Sequence, residues 1–240
     1  MHLLEAKGIS KTYSKRDIVK DLTLYLTTGE IVGLLGPNGA GKTTTFYMMV
    51  GLIKPKGGNI YLDGEDITYL PVYKRAQRGI SYLPQEPSIF RKLSVQDNLR
   101  AVLEIKGLRR EEIDAEVDRL LEEFNLSEFS KRDGYKLSGG ERRKAEIARA
   151  LAIKPTFILF DEPFTGIDPI ATVELKKMFT YLKNKGLGIL ITDHNVRDTL
   201  SITDRAYIIS NGTILEEGTP DKIVEDPRVK EVFLGEEFVF

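Results

Sequence analysis

The stretch Ile31-Val32-Gly33-Leu34-Leu35-Gly36-Pro37-Asn38-Gly39-Ala40-Gly41-Lys42-Thr43 decides the fold. Its first five residues predict a buried strand. The next eight form a complete G-x-x-x-x-G-K-[ST] phosphate loop. A strand that turns through glycines into a helix N-terminus aims several backbone N–H groups at one point. Lys42 adds a point charge for the terminal phosphates, and the Thr43 hydroxyl can ligate magnesium. Residues 36–44 are therefore expected to hold a nucleoside triphosphate: Gly36, Pro37, Asn38, Gly39, Ala40, Gly41, Lys42, Thr43 and Thr44. The helix behind the loop is expected over Thr44–Val50, with Gly51 as its stop.

The sequence outward from that loop reads as α/β. The first thirty residues alternate like strands, and Ile60-Tyr61-Leu62 with Asp63-Gly64 reads as a strand and a tight turn. Short apolar runs recur at 80–83, 157–160, 188–192 and 206–209, which suits strands buried on both faces of a parallel sheet. Asn211-Gly212 predicts a hairpin into Thr213-Ile214-Leu215. Between 87 and 152 the pattern turns helical. Ser94 is placed to cap a helix carrying Leu99, Val102 and Leu103. Residues 111–126 put Ile113, Val117, Leu120, Leu121 and Phe124 on one face. A helix over 170–185 has Asp168 as N-cap, Pro169 as its first residue, Gly186 as stop, and Leu175, Met178, Phe179 and Leu182 as buried stripe. The expected organisation is one domain, 1–240. Residues 1–86 and 153–240 make the α/β core with an N-terminal β part, and 87–152 make an inserted helical part.

Composition narrows the functional classes. The 240 residues carry a formal net charge of −1 and no cysteine. This argues against a disulfide framework, a thiolate metal site and a nucleic-acid surface. No apolar stretch approaches the ~20 residues that span a bilayer, and the start of the chain lacks a basic-then-apolar leader. A cytoplasmic protein is expected, touching membranes only through partners.

Two further motifs carry chemistry. Phe157-Ile158-Leu159-Phe160-Asp161-Glu162 sets two carboxylates at the C-terminal end of a strand, where ligands bind in open α/β sheets. One can hold magnesium while the other orients or polarises an attacking water. Acids favoured by a helix dipole are the plainer reading of the same pair. Leu137-Ser138-Gly139-Gly140-Glu141 contains a capping box, Ser138-x-x-Glu141. Two adjacent glycines in a helix cost roughly 1 kcal/mol each relative to alanine. They make sense where a phosphate approaches the backbone. This second anion site has no lysine of its own.

These motifs, in this order, resemble the nucleotide-binding subunits of ABC transporters, and the resemblance covers essentially the whole chain. It implies a P-loop NTPase (RecA-like) core with an N-terminal antiparallel β subdomain and an inserted α-helical subdomain. It also implies ATP with Mg2+ held between two head-to-tail copies, where Ser138, Gly139 and Gly140 of one copy close the site of the other. Residue by residue, it implies adenine stacking by Tyr13 and magnesium contact by Gln85. It further implies an interface loop at Asp168 and a γ-phosphate contact by His194. Each has a plainer reading: packing for Tyr13, a polar loop residue for Gln85, the N-cap for Asp168, a structural histidine for His194. The implied catalytic set is Glu162, His194 and Lys42, and the implied metal set is Thr43, Gln85 and Asp161.

Within the family, the strings 82–95, 43–48, 191–197 and 233–236 are similar to the branch that powers lipopolysaccharide export in Gram-negative bacteria. Branched-chain amino-acid importers share parts of them. The resemblance implies a homodimer on the cytoplasmic face of the inner membrane, under two transmembrane permease subunits. Ile89, Phe90 and Leu93 read either as a groove for a partner helix or as core. The tail Glu237-Phe238-Val239-Phe240 is expected to pack on the core. Repair or translation ATPases of the family carry coiled-coil insertions or tandem units, which this sequence lacks. A non-hydrolysing module would be expected to have lost Lys42, Glu162 or His194.

Overall fold

The computed structural model describes residues 1–235; the tail 237–240 lies outside the described residues. The chain falls into two compact units. One comprises 1–82 and the described residues from 156 onward, and the other comprises 83–155.

In the first unit, β1 (Leu3–Tyr13), β2 (Arg16–Thr27), β4 (Gly57–Leu62) and β5 (Glu65–Asp66) form an antiparallel sheet in the order β2-β1-β4-β5. A second sheet runs β10-β9-β3-β8-β7-β6. Its members are β3 (Ile31–Leu35), β6 (Ile80–Leu83), β7 (Phe157–Asp161), β8 (Gly188–Thr192), β9 (Arg205–Ser210) and β10 (Thr213–Gly218). β3, β7, β8 and β9 pair in parallel, and β10 returns antiparallel to β9. Every residue of β3, β7 and β8 is buried, which is why these strands read as unbroken apolar runs instead of alternating ones. Asn211-Gly212 makes the expected turn, with both residues at positive φ.

The helix behind the phosphate loop, α1 (Lys42–Val50), starts two residues earlier than expected and ends at Gly51, whose φ of 91° provides the left-handed cap. Phe46, Met48, Met49 and Val50 share one core with Leu4, Leu22, Leu24 and Ile60 of the antiparallel sheet and with Val32, Leu34 and Leu190 of the parallel one. At ~1.5–3 kcal/mol per large buried apolar side chain, this core holds α1 firmly between the sheets.

A buried arginine finishes the far end of α1. Arg75, on α2 (Val72–Gln77), is 1% exposed. Its Nη1 donates to the carbonyls of Met48 at 2.9 Å and Met49 at 2.7 Å. Nη2 donates to Thr68 O at 2.9 Å, and Nε to Leu70 O at 3.0 Å. The last carbonyls of a helix lack partners within it, and here a cation supplies them where the dipole favours one. Gly51 makes the space: a Cβ there would sit 2.7 Å from Arg75 Nε.

α6 (Pro169–Asn184) has the expected Asp168 N-cap and Pro169 start. Leu175, Phe179 and Leu182 are buried as expected, and Met178 is half-buried. α7 (Val196–Leu200) follows β8.

The second unit is helical: α3 (Val95–Glu104), α4 (Arg110–Glu123) and α5 (Gly139–Ala152). Ser94 caps α3 as expected, accepting the Asp97 N–H at 3.2 Å. α4 ends before the expected 126, because Asn125 takes a left-handed φ of 53° and turns the chain out of the helix. Among the described residues, no helix is long and apolar enough to cross a membrane.

Candidate nucleotide site

The first unit assembles most of the expected residues around the end of β3. Gly36 has a φ of 145°, and a Cβ there would lie 2.1 Å from the Ile209 carbonyl oxygen. Gly41, φ 108°, would place one 2.7 Å from the Ile18 carbonyl oxygen. Both positions therefore require glycine for conformation and for space. Among the described residues, no side chain caps the start of α1, and no acid lies in its first turn. Its leading N–H groups are thus left for an anion from outside the chain. Lys42 Nζ folds back over the loop and donates to the carbonyls of Gly36 at 2.6 Å and Pro37 at 3.0 Å. Burial pushes the Lys42 ammonium below its usual range, and the Glu162 charge opposes that shift. Thr43 is exposed at the mouth of the loop.

The two carboxylates behave differently. Asp161 ends β7 and is buried, accepting the Thr192 hydroxyl at 2.9 Å and a hydrogen bond from Tyr47. Burial pushes its carboxyl above the usual range, and a cation alongside would favour the ionised form. Among the described residues no three His, Cys, Asp or Glu side chains are grouped to hold a metal. Glu162 sits at φ 45°, a left-handed conformation that costs a non-glycine residue of order 1 kcal/mol or more. Its N–H donates to Thr192 O at 2.7 Å, and its Oε2 accepts the Thr165 hydroxyl at 3.1 Å. His194 Nδ1 stands 3.3 Å from the same Oε2 and 3.4 Å from Thr165 Oγ1. The imidazole is more than half exposed and so accessible to a ligand. Lys42, Glu162 and His194 are thus gathered at one end of the sheet.

Tyr13 lies at the tip of the β1–β2 hairpin, paired with Arg16, its ring 44% exposed. The same hairpin backs the phosphate loop through Ile18. Asp168 Oδ1 accepts the Ala171 N–H at 2.9 Å, so its capping reading holds.

The second unit carries Gln85 and the Ser138 motif. Ser138 Oγ accepts the Glu141 N–H at 3.3 Å, and Glu141 returns the bond to the Ser138 N–H at 2.8 Å, which completes the capping box. Gly139 is not at positive φ, and a Cβ there would meet nothing within 4 Å. Among the described residues, nothing therefore requires a glycine at this exposed helix start. Gln85 is exposed, and the segment after it is clasped to one face of α5. Arg143 Nη1 donates to Pro84 O at 3.3 Å, and Glu146 accepts the N–H groups of Ser88 at 2.7 Å and Ile89 at 3.3 Å. Arg149 Nη2 donates to Ser88 O at 2.8 Å. Asn98 on α3 accepts the Phe90 N–H at 2.8 Å. Ile89 is core, whereas Phe90 and Leu93 are exposed, with the Arg149 guanidinium 4.8 Å from the Phe90 ring centroid.

Sequence reasoning missed Tyr47, Thr165, Thr192 and Asp193. Tyr47 had a signal: it follows Thr43 by four residues, on the same helix face. The others depend on which strands neighbour each other.

A family model described as ABC transporter matches residues 19–165, more than half of the chain. One described as branched-chain amino acid ATP-binding cassette transporter matches 213–239. The chain is 56% identical to the lipopolysaccharide export system ATP-binding protein LptB of Haemophilus influenzae, with 99% of each chain covered. It is 54% identical to the protein of the same name in Escherichia coli K12, again over 99% of each. The solved ADP conformation of MJ1267, an ATP-binding cassette of an ABC transporter, matches with a TM-score of 0.87 at 28% identity, covering 98% of this chain and 100% of that one. A solved ATP-binding subunit of an ABC transporter matches at 0.80 with 32% identity, covering 97% and 96%. The chain belongs to the ABC transporter family, as one of its ATP-binding, ATP-hydrolysing cassettes.

Proposed function

We propose that this chain hydrolyses ATP within a head-to-tail pair of copies and thereby drives lipopolysaccharide out of the inner membrane through two transmembrane partners. The observation that carries the cargo is the 56% identity, over 99% of both chains, to an ATP-binding protein named for lipopolysaccharide export. The second copy is supported by Gly139, a glycine whose own chain leaves its surroundings empty. A phosphate held by the partner's loop would fill that space.

Lys42 and the N–H groups of α1 hold the β- and γ-phosphates. Magnesium, when bound with ATP, neutralises developing charge on the phosphates; Thr43, Asp161 and Gln85 are the residues that would hold it. Glu162 accepts a hydrogen bond from the attacking water and orients it in line, and His194 keeps the γ-phosphate in register. Ser138, Gly139 and Gly140 of the second copy close the site, and Tyr13 stacks on adenine. Such positioning supplies most of the acceleration in phosphoryl transfer. The exposed Phe90 and Leu93 offer the membrane partners an apolar contact beside Gln85.

Glu162→Gln tests the mechanism. It should bind ATP normally, lose about 100-fold or more in turnover, and accumulate as an ATP-dependent dimer on gel filtration. Wild-type turnover in that variant would sink the role given to Glu162. The match of residues 213–239 to a branched-chain amino-acid cassette model favours a second reading, an importer ATPase. Identifying the membrane subunits that co-purify with the chain separates the two.

A further inference from the structure

We infer that Asp193 is a positioning residue for hydrolysis: its carboxylate ties the loop carrying Glu162 to the loop carrying His194, and sets the distance between those two side chains. The inference rests on the ATPase reading of the site and deepens it.

Asp193 follows the last residue of β8 and is fully buried. A carboxylate is seldom buried without a positive partner. This one is satisfied by two backbone amides from two different loops. Oδ2 accepts the Phe164 N–H at 2.9 Å, and Oδ1 accepts the Asn195 N–H at 2.8 Å. Phe164 lies two residues past Glu162, and Asn195 one past His194. The Glu162 N–H is itself held by Thr192 O at 2.7 Å. The turn 162–164 is therefore pinned to the end of β8 on both sides of Glu162, first by a carbonyl and then by the Asp193 carboxylate. Glu162 needs that support, because its φ of 45° is a conformation the local chain does not choose. His194 Nδ1 lies 3.7 Å from Asp193 Oδ1 and 3.3 Å from Glu162 Oε2, so one carboxylate stands behind both candidate catalytic side chains. Burial pushes the Asp193 carboxyl upward, and the two amides oppose that shift. Asparagine at this position could accept from one amide only, since its NH2 would face the other N–H. Alanine could accept from neither.

A misplacement of about 1 Å at a reacting group costs on the order of 100-fold in rate. In the full chain, Asp193→Ala should lower kcat by roughly that factor, and Asp193→Asn by about tenfold, with KM and equilibrium ATP binding within about threefold of wild type. Leu182→Ala, a buried truncation on α6, reports what lost stability alone does to turnover. The double variant Asp193→Asn, His194→Ala should lose less turnover than the product of the two single losses, because part of the Asp193 effect runs through His194. The inference is overturned if kcat of Asp193→Asn stays within twofold of wild type, if its loss is no greater than that of Leu182→Ala at equal thermal shift, or if the two losses multiply. Where Asp193→Ala does not fold, Asp193→Asn carries the test. Absent ATPase activity in the wild-type chain would instead defeat the reading on which the inference stands.

Discussion

Replacing Arg75 by methionine removes a charge with no carboxylate hydrogen-bonded to it. Burial lowers its pKa to about 10, still far above neutral, so the guanidinium is charged and donates to four carbonyls. After the substitution, the Met48 carbonyl keeps the Gly51 N–H at 3.2 Å. The carbonyls of Met49, Thr68 and Leu70 lose their charged donor in a buried site. An acceptor stranded in this way costs about 1–3 kcal/mol, roughly 3–9 kcal/mol for the three. Methionine recovers part of this through its apolar burial and by sparing the guanidinium's desolvation. We expect a net loss of about 4 kcal/mol, or roughly 8–16 °C in Tm at about 2–4 °C per kcal/mol for a chain of this size. Arg75→Lys should lose about half as much, because three donors on one nitrogen cannot reach all four carbonyls of the two segments. Thermal unfolding of the nucleotide-free protein, followed by far-UV circular dichroism, measures both. A shift below about 3 °C for Arg75→Met would refute the account of how α1 is finished, and equal losses for Met and Lys would refute the role of geometry.

Gly36→Ala should abolish measurable ATP binding in calorimetry, because its methyl would lie 2.1 Å from the Ile209 carbonyl oxygen and the loop must move. Gly139→Ala should leave Tm within about 2 °C of wild type, since alanine favours the helix by ~1 kcal/mol and meets nothing in its own chain. Its turnover should fall at least about tenfold, measured on the purified chain. Asp161→Asn should raise the nucleotide-free Tm at pH 7.5 while removing magnesium-dependent turnover. Burial raises the folded-state pKa of Asp161 above its unfolded value. The folded chain therefore binds more protons between those two values, and stability falls as pH rises through that window. Above the window the cost is fully present, and the amide avoids it while still accepting from Thr192. A Tm gain equal at pH 4 and pH 7.5 would contradict this.

Much of the fold was legible because burial on both faces leaves a plain mark. β3, β7 and β8 are apolar throughout, and the caps at Ser94, Ser138 and Asp168 sit where the spacing put them. The phosphate loop and the carboxylate pair were legible for the same reason: each stands at the end of such a strand. Arg75 was not legible, since within Val72-Tyr73-Lys74-Arg75 it reads as an exposed charge beside another. Its burial depends on Gly51 opening a space in a distant segment. Asp193 was hidden likewise, because its partners at 164 and 195 meet only once β7 and β8 are neighbours. The end of α4 was misplaced because a left-handed asparagine leaves no hydrophobic signature.

The clasp on α5 grips its neighbour by main-chain atoms. Pro84 O, the Ser88 N–H and carbonyl and the Ile89 N–H are the main-chain groups held, beside one bond to the Ser88 hydroxyl, and a main-chain atom is the same whatever residue bears it. The exposed side chain at 93 can therefore change without loosening these bonds, whereas Phe90 lies under the Arg149 guanidinium, 4.8 Å from its ring centroid, and adds a side-chain contact of its own. Substitution at such an outward-facing position leaves the main-chain hold of the helix that opens at Ser138 on this segment unchanged.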